Sequence, residues 1–105
     1  MHLSMHNWMR AEPLKVTVAR LAKYGYKSIE ISGEPEQFGL NGSKDTKKLL
    51  DDYGLKCWGS VTLMLGERNL VAADPKKRAD SVQYTKDCIT MVKELDGQEM
   101  TIVPA

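Results

Sequence analysis

The sequence predicts an α/β chain: a parallel sheet built as (βα)3β4, with its strands in sequential order and its helices on one face. Three observations carry this. Tyr24-Gly25, Tyr53-Gly54 and Asp96-Gly97 each close a polar, helix-periodic stretch, and a short apolar run follows each within four residues. A glycine just past the last helical turn takes the left-handed conformation that other residues adopt only at a cost, so these pairs read as helix stops. The glycines lie 29 and 43 residues apart. One strand–helix unit takes roughly 30 residues, so the longer interval leaves room for an extra loop. Finally, the strand-like runs are short and mixed or apolar without clean alternation, as in parallel strands covered by crossover helices.

The elements follow in order. A first strand is expected at about 2–8. A first helix at 13–24 opens on Pro13, whose missing N–H is not needed in a first turn, and carries the stripe Leu14, Val18, Leu21 and Ala22. A second strand spans 28–33, and Gly39, Asn41 and Gly42 mark a turn after it. The second helix, 43–53, starts at Ser43, a good capping oxygen, with the stripe Thr46, Leu49, Leu50 and Tyr53. A third strand at 55–63 leads into a long loop, Met64 to Ala73. The third helix, 75–96, has Asp74 as cap, Pro75 in its first turn and the stripe Ala79, Val82, Ile89, Val92 and Leu95. A fourth strand is expected at 99–104.

Composition sets the outer limits. With 105 residues there is room for one domain, 1–105, and 42 % hydrophobic with 28 % charged residues suits a globular fold. Fifteen basic against fourteen acidic side chains, net +1, argue against a nucleic-acid partner or a membrane surface recognised through bulk charge. No apolar run reaches the roughly 18 residues of a membrane helix. MHLSMHNWMR has no basic flank before an apolar stretch, so a secretory signal is not expected and a cytoplasmic location is. Cys57 and Cys88 lie 31 apart with no CxxC, which points to reduced, packed thiols rather than a disulfide, a zinc site or nucleophiles.

Right-handed crossovers put every helix on one face of a sequentially ordered sheet, which leaves the other face uncovered and, on this reading, apolar. Half of an eight-stranded TIM barrel answers that problem, because the bare face becomes the barrel interior. A flavodoxin-like sheet is the competing answer and would place strand one between two others. The exposed strand edges also suggest self-association, four strands of one copy beside four of another.

Several runs resemble a known family. His6-Asn7-Trp8 ends the first strand. Residues 21–32, LAKYGYKSIEIS, are similar to the G-[FY]-x-x-[IM]-E-[IL] run of the xylose-isomerase-like TIM barrels. Tyr53-Gly54-Leu55-Lys56 is similar to the family's entry into strand three, and Asp74-Pro75-x-x-Arg78 with Tyr84, Lys86 and Ile89 to the helix after it. The resemblance covers the whole chain but only the first half of a typical member. It implies the N-terminal portion of a sugar or sugar-phosphate isomerase or epimerase of the ketose 3-epimerase group. It also implies a divalent ion, Mn, Mg or Co, held in the full-length family by two glutamates, an aspartate and a histidine from strands beyond this chain. The chain itself is therefore expected to hold no metal, to carry no assigned catalytic residue and to be inactive alone.

Active sites of such barrels lie at the C-terminal ends of the strands. That selects His6, Asn7 and Trp8 after strand one, and Glu30, Ser32 and Glu34 around the end of strand two. Ser60 and Thr62 would serve strand three, with Glu67 and Arg68 on its loop. The substrate-binding set expected from this is His6, Trp8, Glu30, Ser32, Ser60, Thr62, Glu67 and Arg68. Hydroxyls and carboxylates suit sugar hydroxyls, a tryptophan face suits a sugar ring, and the arginine fork suits a phosphate. Each has a plainer reading. His6 and Glu30 could be hydrogen-bonded inside the barrel, Trp8 could pack at the rim, and Ser32 and Thr62 could satisfy strand-end backbone. Glu67 and Arg68 could be a surface pair, and Glu34-Pro35-Glu36 an exposed charged loop. Leu65 to Ala73 reads as a lid over the substrate or as a plain loop.

Overall fold

The computed structural model of the chain describes residues 3–7 and 12–104. Along it run β1 (Ser4–His6), α1 (Leu14–Lys23), β2 (Ser28–Ser32), α2 (Pro35–Phe38), a 3-10 turn (Leu40–Gly42), α3 (Ser43–Asp52), β3 (Lys56–Met64), α4 (Pro75–Glu94) and β4 (Glu99–Pro104). The four strands form one sheet in the order β1-β2-β3-β4, and every neighbouring pair is parallel. β1 sits at an edge, so the flavodoxin-like alternative, which needs it in the middle, is overturned. Among the described residues no helix is long and apolar enough to cross a membrane.

Local chemistry explains the boundaries. Gly25 and Gly54 take the left-handed conformation after α1 and α3, at φ +82° and +70°. The third stop works differently. Asp96 is the left-handed residue, at φ +60°, and Gly97 is small for another reason: a Cβ there would lie 2.8 Å from Val92 Cγ1 and 3.3 Å from Gly59 Cα. Asp74 caps α4 by accepting from the Lys76 N–H at 3.0 Å, ahead of Pro75 in the first turn. Ser43 does not cap α3. It is the helix's first residue, and its hydroxyl donates to the Leu40 carbonyl at 2.9 Å. Glu34-Pro35-Glu36, expected as an exposed charged loop, instead opens a single helical turn, Pro35–Phe38, with the proline in its first position.

Strand alternation sets the two faces of the sheet. Ile29 and Ile31 are fully buried and pack with Val18, Leu14 and Leu21 of α1, Leu50 of α3, Met91 of α4 and Leu95 just past its end. In register with them stand Met5 and Cys57 in one row, Ser60 and Met100 in the next. These rows face the helices. The alternate rows face away: His6, Glu30, Gly59 and Glu99 in one, Ser32, Val61 and Thr101 in the next. The face without helices is therefore not uniformly apolar, as the sequence suggested. It carries charge and hydroxyls along most of β2 and becomes apolar only toward Val61, Leu63 and Val103. The reason is the period of two: once Ile29 and Ile31 are committed to the helices, Glu30 and Ser32 must point the other way. A bulge at Trp58, between Cys57 paired to Ile29 and Gly59 paired to Glu30, keeps this division aligned across β3.

α4 is turned relative to the expected stripe. Val82 and Ile89 are exposed, and the helix buries Ser81, Cys88, Met91 and Val92. The helix carries apolar residues on two sides, and loop hydrogen bonds to Ser81 choose between them. Ile31→Ala should accordingly lower stability by about 3 kcal/mol, whereas Val82→Ala should change it by less than about 1 kcal/mol. Urea unfolding of both variants measures the difference.

Candidate functional site

The C-terminal ends of β1, β2 and β3 lie side by side, and the side chains there fall into two groups. In the first, His6 and Glu30 are register partners on neighbouring strands, both half-buried on the face away from the helices. Asn7 follows, and its Oδ1 accepts from the Ser32 N–H at 2.6 Å, which ties the end of β1 to the end of β2. Ser32 points to the same face, and its hydroxyl meets no hydrogen-bond partner among the described residues. The Gly33 N–H donates to the Val61 carbonyl at 3.0 Å and continues the seam to β3. The structure thus brings His6, Glu30 and Ser32 together as one polar strip. Trp8 lies outside the described residues.

Ser60 and Thr62 do not join them. They are 1 % and 0 % exposed, in the layer between β3 and the helices. Ser60 shares its row with Ile31, and its hydroxyl has no hydrogen-bond partner among the described residues. Thr62 lies beside the thiol of Cys88 on α4.

The second group forms around Arg68. Its guanidinium lies 3.9 Å over the Tyr84 ring, and Nη1 is 3.4 Å from Glu34 Oε1. Tyr84 is pressed against the backbone just after β2: a Cβ on Gly33 would lie 2.5 Å from its hydroxyl, and the Glu34 backbone hydrogen-bonds the phenol. Gly33, at φ +39°, and Glu34, at φ +52°, turn the chain sharply there, and the glycine leaves the room that the phenol fills. Burial pushes the Tyr84 hydroxyl up to about 12, against a smaller opposing pull from Arg68 and the Glu34 backbone. Glu67 points outward, with one oxygen 3.5 Å from Lys77 Nζ.

The loop between β3 and α4 is tied down on both sides. The Asn69 N–H donates to Ser81 Oγ at 2.8 Å, and Arg78 donates to the Ala72 and Ala73 carbonyls at 2.6 and 2.9 Å. Arg68 joins it to the β2–α2 turn. Sequence reasoning missed Tyr84 as the centre of this group. The signal was present, since Ser81, Tyr84 and Cys88 fall at i, i+3 and i+7, but it shows only once the buried face of α4 is known.

Among the described residues no three His, Cys, Asp or Glu side chains come together as a metal-binding group. His6 and Glu30 make a pair, which falls short of the four-ligand set implied by the family resemblance. The described part of the chain therefore does not fit a complete metal centre. Both thiols are shielded. Burial drives Cys57 up to about 11 and raises Cys88 as well, so neither carries appreciable thiolate near neutral pH.

Parallel strands in sequential order, helices on one face and a polar strip at the strand ends define a piece of a βα barrel. Residues 18–105 match the family model described as xylose isomerase-like TIM barrel, and the chain belongs to that family. It is similar in structure to a D-psicose 3-epimerase from Clostridium cellulolyticum H10, solved with D-tagatose (TM-score 0.78, 19 % identity, over 97 % of this chain and 37 % of the other). A D-psicose 3-epimerase in the presence of D-fructose matches with TM-score 0.74 and 16 % identity, again over 97 % and 37 %. At such identities the likeness is one of fold, and the chain spans little more than a third of either structure. No curated protein sequence matches significantly.

Two outcomes follow from this geometry. Gly33→Ala should destabilise the chain by about 1–3 kcal/mol, because it adds a methyl where the Tyr84 hydroxyl sits and does so at positive φ; thermal unfolding reads this out. A thiol–disulfide reagent at pH 8 should label Cys57 in the native chain at least about a hundredfold more slowly than in the urea-unfolded chain. A thiol raised to about 11 is almost wholly protonated there, and only as pH climbs from about 9 toward 11 should the gap narrow.

Proposed function

We propose that these βα units form the N-terminal part of a sugar isomerase or epimerase barrel and supply one wall of its substrate pocket. The observation that carries the reading is the strip of His6, Glu30 and Ser32, polar groups on the helix-free face at the C-terminal strand ends, in a chain of this family. A half-buried carboxylate beside an imidazole and a hydroxyl offers donors and acceptors at the spacing of neighbouring strands, which suits the hydroxyls of a ketose or ketose phosphate. The structural neighbours, solved with D-tagatose and in the presence of D-fructose, support that class of substrate.

In this reading the residues present bind and orient the sugar. Any divalent ion, manganese, magnesium or cobalt, would be held by other parts of the barrel, and the 105-residue chain alone would not be catalytic. The open edges of β1 and β4 would accept further parallel strands, from the rest of a barrel or from a second copy.

Assays with a panel of free and phosphorylated ketoses and each metal test the reading. The isolated chain should turn over none. In a barrel that carries these units, Glu30→Gln should lower kcat/KM for the accepted ketose at least about tenfold. Turnover by the chain alone, or indifference to Glu30→Gln, overturns it.

A further inference from the structure

The group around Arg68 lies apart from the His6–Glu30 strip and has a chemistry of its own. An arginine stacked on an aromatic ring is held in orientation with its edge of N–H donors left open. Arg68 is in that state: Tyr84 supports its face at 3.9 Å, and Glu34 approaches a single nitrogen at 3.4 Å, beyond the usual range of a good charge-assisted hydrogen bond. Apart from Glu34, no described side chain pairs with the guanidinium. Its side chain is 39 % exposed, so a solute can reach it from solvent.

The surroundings fit the same chemistry. Arg68, Lys77, Ser81 and Tyr84 line a concavity of about 300 Å³ between the β3–α4 loop and the first turns of α4. Two of its three acids are already engaged. Asp74 accepts from the Lys76 N–H, and Asp80 pairs with Lys76 Nζ at 2.6 Å. Glu67 is almost wholly exposed and reaches Lys77 only at 3.5 Å. Two cations on loose partners therefore border one small hollow at the strand ends.

We propose that Arg68 anchors the phosphate of a phosphorylated sugar, with Glu34 as the internal carboxylate that holds the guanidinium until the phosphate displaces it. This rests on the sugar-enzyme reading and narrows its substrate class to sugar phosphates. Tyr84 keeps the guanidinium plane in place through the exchange, and the turn at Gly33 and Glu34 sets the distance from which the carboxylate competes. The competition sets the sign to look for: removing the Glu34 charge should improve phosphate binding by more than it improves chloride binding, whereas the loss of a merely structural ion pair would favour all anions alike.

The test is a ¹H–¹⁵N titration of the chain, read at the Arg68 Nε–H, with inorganic phosphate and D-fructose 6-phosphate, and with D-fructose and sodium chloride as controls at matched ionic strength. Both phosphates should shift that resonance saturably, and neither control should. Glu34→Gln should tighten phosphate at least about threefold, and Arg68→Gln should weaken it at least about tenfold, with both variants keeping the native spectrum elsewhere. No saturable shift in wild type and Glu34→Gln overturns the inference. So does an equal shift with chloride, weaker binding by Glu34→Gln, or unchanged affinity in Arg68→Gln. Such a failure leaves a neutral-sugar enzyme standing, because that reading depends on Glu30 and turnover; phosphate binding at Arg68 beside a barrel indifferent to Glu30→Gln would uphold the anchor and remove the sugar chemistry.

Discussion

The two-residue period of β2 is the constraint on which the rest of the structure depends. Ile29 and Ile31 must be buried, and among the described residues the apolar layer of α1, α3 and α4 covers them. That commitment turns Glu30 and Ser32 to the helix-free side. It also sets which residues of β1 and β3 accompany each set, since parallel pairing keeps register partners on one face. His6 joins Glu30, Cys57 joins Ile29, and Ser60 joins Ile31. A slip of one residue would bury a carboxylate under α1 and expose two isoleucines, at a cost of several kcal/mol.

The bulge at Trp58 is the device that carries this commitment across β3. Without it the parity of β3 after Cys57 would be reversed, and Ser60 and Thr62 would face the same side as Glu30. With it they lie among the helices, where Thr62 meets the Cys88 thiol and Ser60 stands in a row of apolar side chains. One extra residue thus decides whether two hydroxyls line the strip or support the layer beneath it. Gly59 allows the bulge to close, because any side chain there would strike the Glu99 backbone on β4.

The loops at the strand ends obey a second constraint, contact between α4 and the turn after β2. Tyr84 fills the space that Gly33 leaves empty, and from there its ring supports Arg68. The β3–α4 loop, readable from sequence as a lid, is held at Asn69 by Ser81, near Ala72 and Ala73 by Arg78, and at Arg68 by Tyr84 and Glu34. Cation, ring and carboxylate come from three segments that touch only in the folded chain.

Much of the fold was legible along the chain. The Gly25 and Gly54 stops, the Asp74-Pro75 helix start and the stripe of α1 are local signals, set by backbone freedom within a few residues, and the parallel (βα)3β4 order follows from their sequence. The candidate strip was partly legible for the same reason, since Glu30 and Ser32 lie on the strand that Gly25 announces and His6 ends the strand before it. Local signals do not carry the rest. The face of α4 that is buried, the side of β3 that Ser60 and Thr62 occupy and the meeting of Glu34, Arg68 and Tyr84 depend on contacts between residues 12 to 51 positions apart. Only tertiary packing chose among them, because α4 offers two apolar sides and β3 two parities, and the alternatives differ in free energy only once the sheet and the loop are present to be packed against.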